Sequence, residues 1–410
     1  MRDAQWGALR GFARYAWVMS TLEKLLVRHH IDPEQTEQAL RRVLEPSVPL
    51  TAAQLGELAD SGFNLDAHID SDRALRDEAV RQTRINTAYT GAEVAANNNI
   101  STGRVRNKAA AGELVFLLVR GAQRFPRFQF DEAGRVPRGL DKISPHVPQD
   151  WSWVGYSNFL AAPCMELDGR TVTPRVAGRR QGTRQRGRQH GQQLVRARPK
   201  FPDPPAPDKL PPADQDEDLV GVDRPLWRVF PTTSTHATAW NTLRRWGPVA
   251  ARFDPHPPPP ALHTDHGVLY AGSDAVTALA EAFGTNRTVD VKTGDPWLVK
   301  FTLDVGQVQL LDLTGSWPTR AGASQEIWTS PDRQRTQRWA RAIATRFDTL
   351  DGLLYGSSMR GAGFHNIALW APAAAVIAAA TVHFAEPLAH PAMAAMIQDT
   401  CIRLGYEFVN

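Results

Sequence analysis

The sequence has little cysteine and no long, strongly apolar run. Its two cysteines, Cys164 and Cys401, lie far apart and belong to no CxxC motif or Cys/His cluster. This usage argues against a zinc site and a disulfide framework, and it fits the reducing cytoplasm. The most apolar run, Ile367 to Val382, is mostly alanine and contains Pro372, whereas a membrane span needs about 20 strongly apolar residues. We therefore expect a soluble, cytoplasmic protein without a membrane partner.

Two common nucleotide-binding motifs are also missing. The chain contains neither a GxGxxG fingerprint nor a Walker A loop, so a Rossmann or P-loop domain has no support. Four histidines lie between residues 235 and 267, namely His236, His256, His263 and His266. Their spacing is irregular, so we do not interpret them as metal ligands. No other metal-ligand spacing is visible, and no metal is expected.

The length of 410 residues predicts two or three domains. Apolar residues recur at helical spacing in the first part, residues 1–178, for example at 1–30, at 34–45 and after Thr51. Residues 179–223 are first rich in arginine, glutamine and glycine, then rich in proline and acidic side chains. Because neither stretch can bury a core, we expect a disordered or extended linker. Folding should resume in a second domain, residues 224–410.

Residues 89–130 resemble a helix-turn-helix with a hairpin or wing behind it. Thr90 is a candidate N-cap of a short helix, an asparagine-rich turn follows, and Ser101 or Thr102 is the candidate cap of a second, basic helix ending near Gly112. Such a helix can enter the major groove of DNA. The alternative is an ordinary helical pair whose basic face is solvated.

The C-terminal domain contains an unusual strand-turn-helix stretch, GVLYAGSDAVTALAEAF. Tyr270 stands at the end of the predicted strand, and Glu281 stands among alanine, leucine and phenylalanine on the predicted helix. Taken alone, Glu281 is explained as a helix-surface residue and Tyr270 as a core tyrosine. An arginine of the preceding strand, Arg228, is explained as a core-edge side chain paired with a carboxylate.

The order of four motifs changes this interpretation. PLWRVFP, ARFDP, GVLYAGSDAVTALAEAF and DGLLYGSSMRGAGFHNIALW follow one another, and together they resemble the RES domain of bacterial toxin–antitoxin systems. The resemblance implies an α+β fold with the mixed β core of the ADP-ribosyltransferases, and NAD as the substrate. The family's arginine, tyrosine, glutamate and serine fall on these residues: Arg252, Tyr270, Glu281 and Ser357. Arg228 is a further arginine of the site, and Ser358 is an alternative to Ser357.

The expected roles follow from the chemistry of NAD. Breaking the nicotinamide–ribose bond develops positive charge on the ribose, which the Glu281 carboxylate would stabilise. Tyr270 would stack on nicotinamide, and Arg228 and Arg252 would bind the diphosphate through their planar forks. Ser357 would fix a ribose or the nicotinamide amide. The sequence departs from the family in the long stretch DPHPPPPALHTDH, which we expect to reshape the cavity mouth or to act as a lid.

A second resemblance concerns residues 151–178. WSWVGYSNFL, the following proline and ELDGRTVTP are similar to the small helical domain at the C-terminal end of the Xre/MbcA/ParS antitoxins. This implies an antitoxin-like half fused to a toxin-like enzyme, with a tether that keeps the two at millimolar effective concentration. The expected function is NAD glycohydrolysis or phosphorolysis restrained by the fused half. The alternatives are ADP-ribosylation of a protein and DNA-binding regulation with an inactive RES domain. An antitoxin partner, DNA at residues 89–130 and a homodimer are the possible macromolecular partners.

Overall fold

The computed structural model describes residues 49–137, 139–147, 151–161, 163–164, 170–171, 201–233, 238–304 and 306–410. The helices predicted at 1–30 and 34–45, and the arginine-rich part of the linker up to residue 200, lie outside these residues. Helices α1 to α12 span Ala52–Asp60, Ser71–Asn86, Gly91–Asn98, Thr102–Ala110, Leu140–Ile143, Trp153–Ala161, Ala275–Ala282, Trp317–Arg320, Glu326–Thr329, Arg333–Arg346, Ala374–Ala378 and Ala394–Leu404. None of the described helices is both long and apolar enough to cross a membrane.

The strands belong mostly to the C-terminal part of the chain. Strands β1 to β17 span Tyr89–Thr90, Leu117–Val119, Ala122–Phe125, Pro163–Cys164, Arg170–Thr171, Leu219–Val220, Leu226–Pro231, Trp246–Gly247, Ala261–Leu262, Val268–Gly272, Thr288–Asp290, Pro296–Thr302, Leu310–Asp312, Gly352–Ser357, Gly361–Trp370, Thr381–Pro387 and Glu407–Val409. Eight of them form one sheet in the order β16-β12-β7-β10-β15-β14-β13-β6. Its neighbours are antiparallel except for the parallel pair β13–β14.

Both faces of this sheet are covered, as the side-chain alternation of its strands requires. Along β10, Val268 and Tyr270 pack into one hydrophobic cluster with α10, whereas Leu269 and Ala271 pack into another with α11. The prediction of an α+β C-terminal domain is confirmed, and helices are the main elements among the described residues before it. Between β7 and β10 the pairing is reduced to a single position, Gly272 opposite Trp227.

Residues 89–130 form the two helices and the hairpin that their sequence predicts. The Thr90 side chain caps α3 in a capping box with Glu93, and the Ser101 side chain caps α4. Asn99 ends α3 in the left-handed conformation. The hairpin β2–β3 follows, and α3, α4 and the hairpin share a small core that contains Val94 and Phe125.

The acidic, proline-rich residues after 200 differ from the predicted disordered or extended linker. Phe201 is buried and stacks on Trp339 of α10 at a centroid distance of 6.2 Å. The indole of Trp339 donates to the Pro202 carbonyl at 2.9 Å, and Arg338 donates to Asp203. One aromatic anchor and the arginines of α10 therefore hold a segment whose composition alone cannot form a core.

Helix α1 is part of the C-terminal core. Leu58 and Phe63 belong to the same buried cluster as Trp227 and Leu279. Polar contacts surround this apolar patch: Lys300 pairs with Glu57, and Gln54 donates to Glu386 at 2.6 Å. The N-terminal part therefore shares a core with the domain that follows it.

Candidate active site

A cavity of about 310 Å³ lies where strands β7 and β10 separate from each other. Residues of both strands, of α7, of the 250–252 segment and of the start of α10 line it. Four residues singled out by the sequence are among them: Arg228, Arg252, Tyr270 and Glu281. Of the stretch DPHPPPPALHTDH, none of the described residues is part of this lining, so it contributes neither a wall nor a lid to the cavity in this structure.

Glu281 is brought to the cavity by the way α7 packs. The Asp274 side chain caps the helix by accepting from the Thr277 amide at 2.8 Å. All residues of α7 before Glu281 are buried, because the helix lies against the sheet and α12. Glu281 lies in the last turn and is half-buried. Its position thus differs from the solvent-facing alternative that the sequence left open.

The Glu281 carboxylate is held by two side chains from neighbouring strands. Ser357 Oγ donates to Oε1 at 2.7 Å, and Asn366 Nδ2 donates to the same oxygen at 3.0 Å. Ser357 ends β14 and Asn366 lies in β15, and both are buried. Because both bonds go to Oε1, the orientation of the carboxylate is fixed while Oε2 stays without a partner among the described residues.

The two candidate serines differ in position. The Ser357 hydroxyl, besides donating to Glu281, accepts from the amides of Met359 and Arg360 at 3.2 and 3.1 Å. Ser358 lies in the turn after β14, and among the described residues neither serine lines the cavity. Ser357 therefore contacts the site through Glu281, whereas the sequence led us to expect a direct contact with substrate.

Both predicted arginines are buried, and neither has a carboxylate partner among the described residues. Arg228 donates to the Trp240 carbonyl at 2.9 Å and to the Thr238 hydroxyl at 3.2 Å, and Arg252 donates to the Ser330 carbonyl at 2.6 Å. Burial, together with the charge of nearby Arg244, lowers the pKa of Arg228 to about 10. Burial likewise lowers the pKa of Arg252 to about 10, and Arg333 adds to this effect. Both side chains stay charged at neutral pH and are open to an anion.

Tyr270 lies half-buried at the cavity wall. Burial, with a further contribution from Asp254, raises the pKa of its hydroxyl well above the usual value, so the ring stays neutral. Asp254 is itself fully buried. Burial raises its pKa, but bonds from His256 and the charge of Arg244 outweigh that effect and lower the pKa to about 2.

The histidines of the long stretch pack on one another beside Asp254. The rings of His256, His263 and His266 lie 5.4 to 6.3 Å apart, and the His256 ring contacts the Asp254 carboxylate. Within the described ranges, no group of three or more His, Cys, Asp or Glu side chains is arranged to hold a metal ion.

Asn366 and Arg333 are among the cavity residues that sequence reasoning did not find. Asn366 has a recognisable signal, because it is a polar residue within the buried strand of FHNIALW. Arg333 has none: it begins an amphipathic helix that carries several other arginines.

The comparison with protein-family models agrees with the motif order. Residues 225–389 match the family model of the RES domain. No curated protein matches the chain. Among solved structures, the crystal structure of the M. tuberculosis MbcT-MbcA toxin-antitoxin complex is similar at 16% identity, with a TM-score of 0.28, over 45% of this chain and 92% of that one. Residues 225–389 are therefore similar to the RES domain family.

Proposed function

We propose that the chain degrades NAD by cleaving the bond between nicotinamide and ribose. The observation that carries this proposal is the Glu281 carboxylate at the cavity wall, held through one oxygen by Ser357 and Asn366. A carboxylate fixed in this way stabilises the positive charge that develops on the anomeric carbon. Because it is oriented before the substrate arrives, the reaction needs little rearrangement of the site.

The remaining side chains support the same reaction. Tyr270 offers a neutral aromatic face for the nicotinamide ring. Arg228 and Arg252 are charged and buried, and within the described ranges no carboxylate pairs with them, which suits an anion-binding role. When the bond breaks, its electron pair goes to the nicotinamide nitrogen. An acceptor oxygen then bonds to the anomeric carbon and releases its proton.

The acceptor is identified by the products. The full chain is incubated with NAD in the presence and absence of inorganic phosphate. Free nicotinamide with ADP-ribose would indicate water as the acceptor, and a phosphorylated ADP-ribose would indicate phosphate. Label transferred from NAD to a protein would favour the ADP-ribosyltransferase alternative. If no nicotinamide is released under any condition, the proposed activity is wrong, and a regulator with an inactive RES domain is favoured.

Restraint by the N-terminal half is the second part of the proposal, in keeping with the toxin–antitoxin family that residues 225–389 resemble. Helix α6 approaches the domain next to the cavity: Gly155 packs on Asn286, which follows the lining residue Thr285. Asn158 bonds to Thr288 and Glu407 at 2.9 and 2.7 Å. Among the described residues, the lining itself comes from 227–366, so restraint would act at the rim. A separate antitoxin would have to bind outside this contact.

DNA binding by residues 89–130 is a second candidate function. It is favoured by two exposed arginines, Arg104 and Arg106, on the capped helix α4, with the hairpin β2–β3 behind it. Phosphate contacts make such binding fall steeply with salt. In a duplex-binding assay, the Arg104→Gln, Arg106→Gln double variant should lower the salt slope by about 2. Arg224→Gln, an exposed arginine near β7, is the control. The homodimer stays a prediction, which the solution mass of the chain tests.

A further inference from the structure

A third arginine, Arg333, lines the same cavity as Arg252. It is the first residue of α10, whose cap is the Asp332 side chain. The start of this helix is tied to the segment that carries Arg252. Gln337 donates to the Val249 and Ala251 carbonyls at 2.6 and 3.0 Å, and Arg252 donates back to the Ser330 carbonyl. These bonds in both directions hold the two arginines at a fixed separation.

Arg333 has a buried hydrogen-bond donor that a bound ligand could satisfy. Its Nη1 is buried and donates no hydrogen bond within the described residues. A buried donor without an acceptor costs free energy, so native proteins rarely keep one without a reason. Its neighbour on the helix, Arg335, also has one buried nitrogen without an acceptor, Nε, but its Nη1 donates to the Phe201 carbonyl and the side chain lies within 3.5 Å of the Asp203 and Asp332 carboxylates.

The charges around the cavity are unbalanced. Three arginines and one glutamate are the charged residues of its described lining, so the wall has an excess of two positive charges. Arg333 is close enough for its charge to lower the pKa of Arg252. Two guanidinium groups that repel each other in a partly dry site are stabilised by an anion that both can contact.

We propose that Arg333 acts with Arg252 as a two-arginine clamp for the diphosphate of a dinucleotide. The identity of the ligand rests on the proposed NAD-degrading function, whereas the clamp itself rests on the geometry of the two arginines. A planar fork with several donors suits the oxygens of two linked phosphoryl groups. Arg333 is then a specificity-determining residue, which favours diphosphate compounds over nucleosides and monophosphates.

The test measures binding to the full chain rather than turnover. ADP-ribose carries the diphosphate and has no nicotinamide bond, and inorganic pyrophosphate carries the diphosphate alone. By calorimetry, Arg333→Gln should weaken ADP-ribose binding roughly tenfold to hundredfold, and Arg333→Lys should weaken it less. Arg346→Gln is the matched control, because this exposed arginine lies on the same helix about 20 Å from Arg333.

Each outcome decides the proposal. Equal ADP-ribose affinities of wild type and Arg333→Gln would overturn it, even if the chain degrades NAD. A loss confined to inorganic orthophosphate would assign Arg333 to an acceptor phosphate and would also overturn it. Pyrophosphate binding that depends on Arg333 in a chain that degrades no NAD would uphold the clamp and refute the proposed function. If the wild-type chain binds neither ADP-ribose nor pyrophosphate, the two-arginine clamp and the proposed function are both wrong. Thermal unfolding verifies the fold of each variant, and Arg333→Lys serves if the glutamine variant does not fold.

Discussion

The cavity of the RES domain and the two-helix module at residues 89–130 hold their arginines in opposite ways. In the cavity, Arg228 and Arg252 are buried, and their acceptors are a hydroxyl and backbone carbonyls. On α4, Arg104 and Arg106 are exposed to water. A charged group without a carboxylate partner is expensive to bury, whereas a charge on a surface costs almost nothing. Buried arginines therefore point to a function more strongly than exposed ones.

The largest expected effect concerns the carboxylate that faces the buried arginines. Glu281→Gln keeps the shape of the side chain and removes its charge, so it should slow NAD degradation on the order of 10²–10³-fold. Glu326→Gln, an exposed carboxylate on α9, should leave the rate unchanged. Nicotinamide release at saturating NAD is the measurement. A Glu281→Gln chain as fast as wild type would remove the basis of the proposed function.

The second prediction concerns how firmly α1, which precedes the two-helix module, is joined to the C-terminal domain. Leu58 of α1 is fully buried in the core that it shares with the RES domain. Leu58→Ala should lower the free energy of unfolding by about 2–5 kcal/mol. Leu75→Ala on α2, where the side chain is 66% exposed, should change it by less than about 0.5 kcal/mol. Chemical denaturation measures both, and similar small changes would mean that α1 is dispensable for the domain.

The third prediction tests restraint at the rim of the cavity. A Cβ atom at Gly155 would come within 2.6 Å of Asn286 Nδ2, so Gly155→Leu should displace α6. If α6 restrains the enzyme, the variant should degrade NAD severalfold faster and slow the growth of cells that express it. Gly56→Leu on α1 is the control, because nothing lies within 4 Å of a Cβ atom there. Unchanged NAD consumption by the Gly155 variant would rule out restraint through this contact.

The smallest expected effect is on stability, and it compares a buried arginine with an exposed one. Arg228→Met should weaken NAD binding yet raise the free energy of unfolding by about 1 kcal/mol, because it removes a poorly compensated buried charge. Arg106→Met should change stability by less than about 0.5 kcal/mol.

The stability gained by Arg228→Met depends on pH in a direction that follows from the pKa of Arg228. The pKa of Arg228 is lower in the folded chain, about 10, than in the unfolded chain, so the folded state loses the proton first. The increase in the free energy of unfolding caused by Arg228→Met should be constant between about pH 6 and 9. It should shrink above about pH 10, because the folded wild type then loses the buried charge that the substitution removes. Urea titrations of both variants across this range are the measurement. A destabilised Arg228→Met chain would show that the two hydrogen bonds of Arg228 outweigh its burial.

Sequence patterns singled out four residues that line the cavity, because these residues stand at recognisable places. Tyr270 lies at a strand end and Glu281 in the last turn of the next helix, and burial alternation predicts such elements well. Arg333 was not predicted as a cavity residue, because the sequence of an amphipathic helix with many arginines does not show which of them faces inward. Asn366 was not singled out, although it is polar within an apolar strand.

The packing of segments on one another was harder to predict. Helical spacing showed that α1 has an apolar face, but it cannot show which surface covers that face. The residues after 200 have the composition of a tether, and the single aromatic contact of Phe201 with α10 is too small a signal to find in a sequence. In both cases a partner distant in sequence decides the structure, and local propensity contains no information about that partner.

The shared core around α1 has a consequence for where the chain can be divided. Leu50, Leu58 and Phe63 complete the apolar cluster that contains Trp227 and Leu298, although the stretch at 179–223 separates them in sequence. A recombination event that cut the gene within that stretch would leave apolar surface uncovered on both products. Residues before and after that stretch are therefore expected to stay folded only together, because each part covers apolar surface of the other.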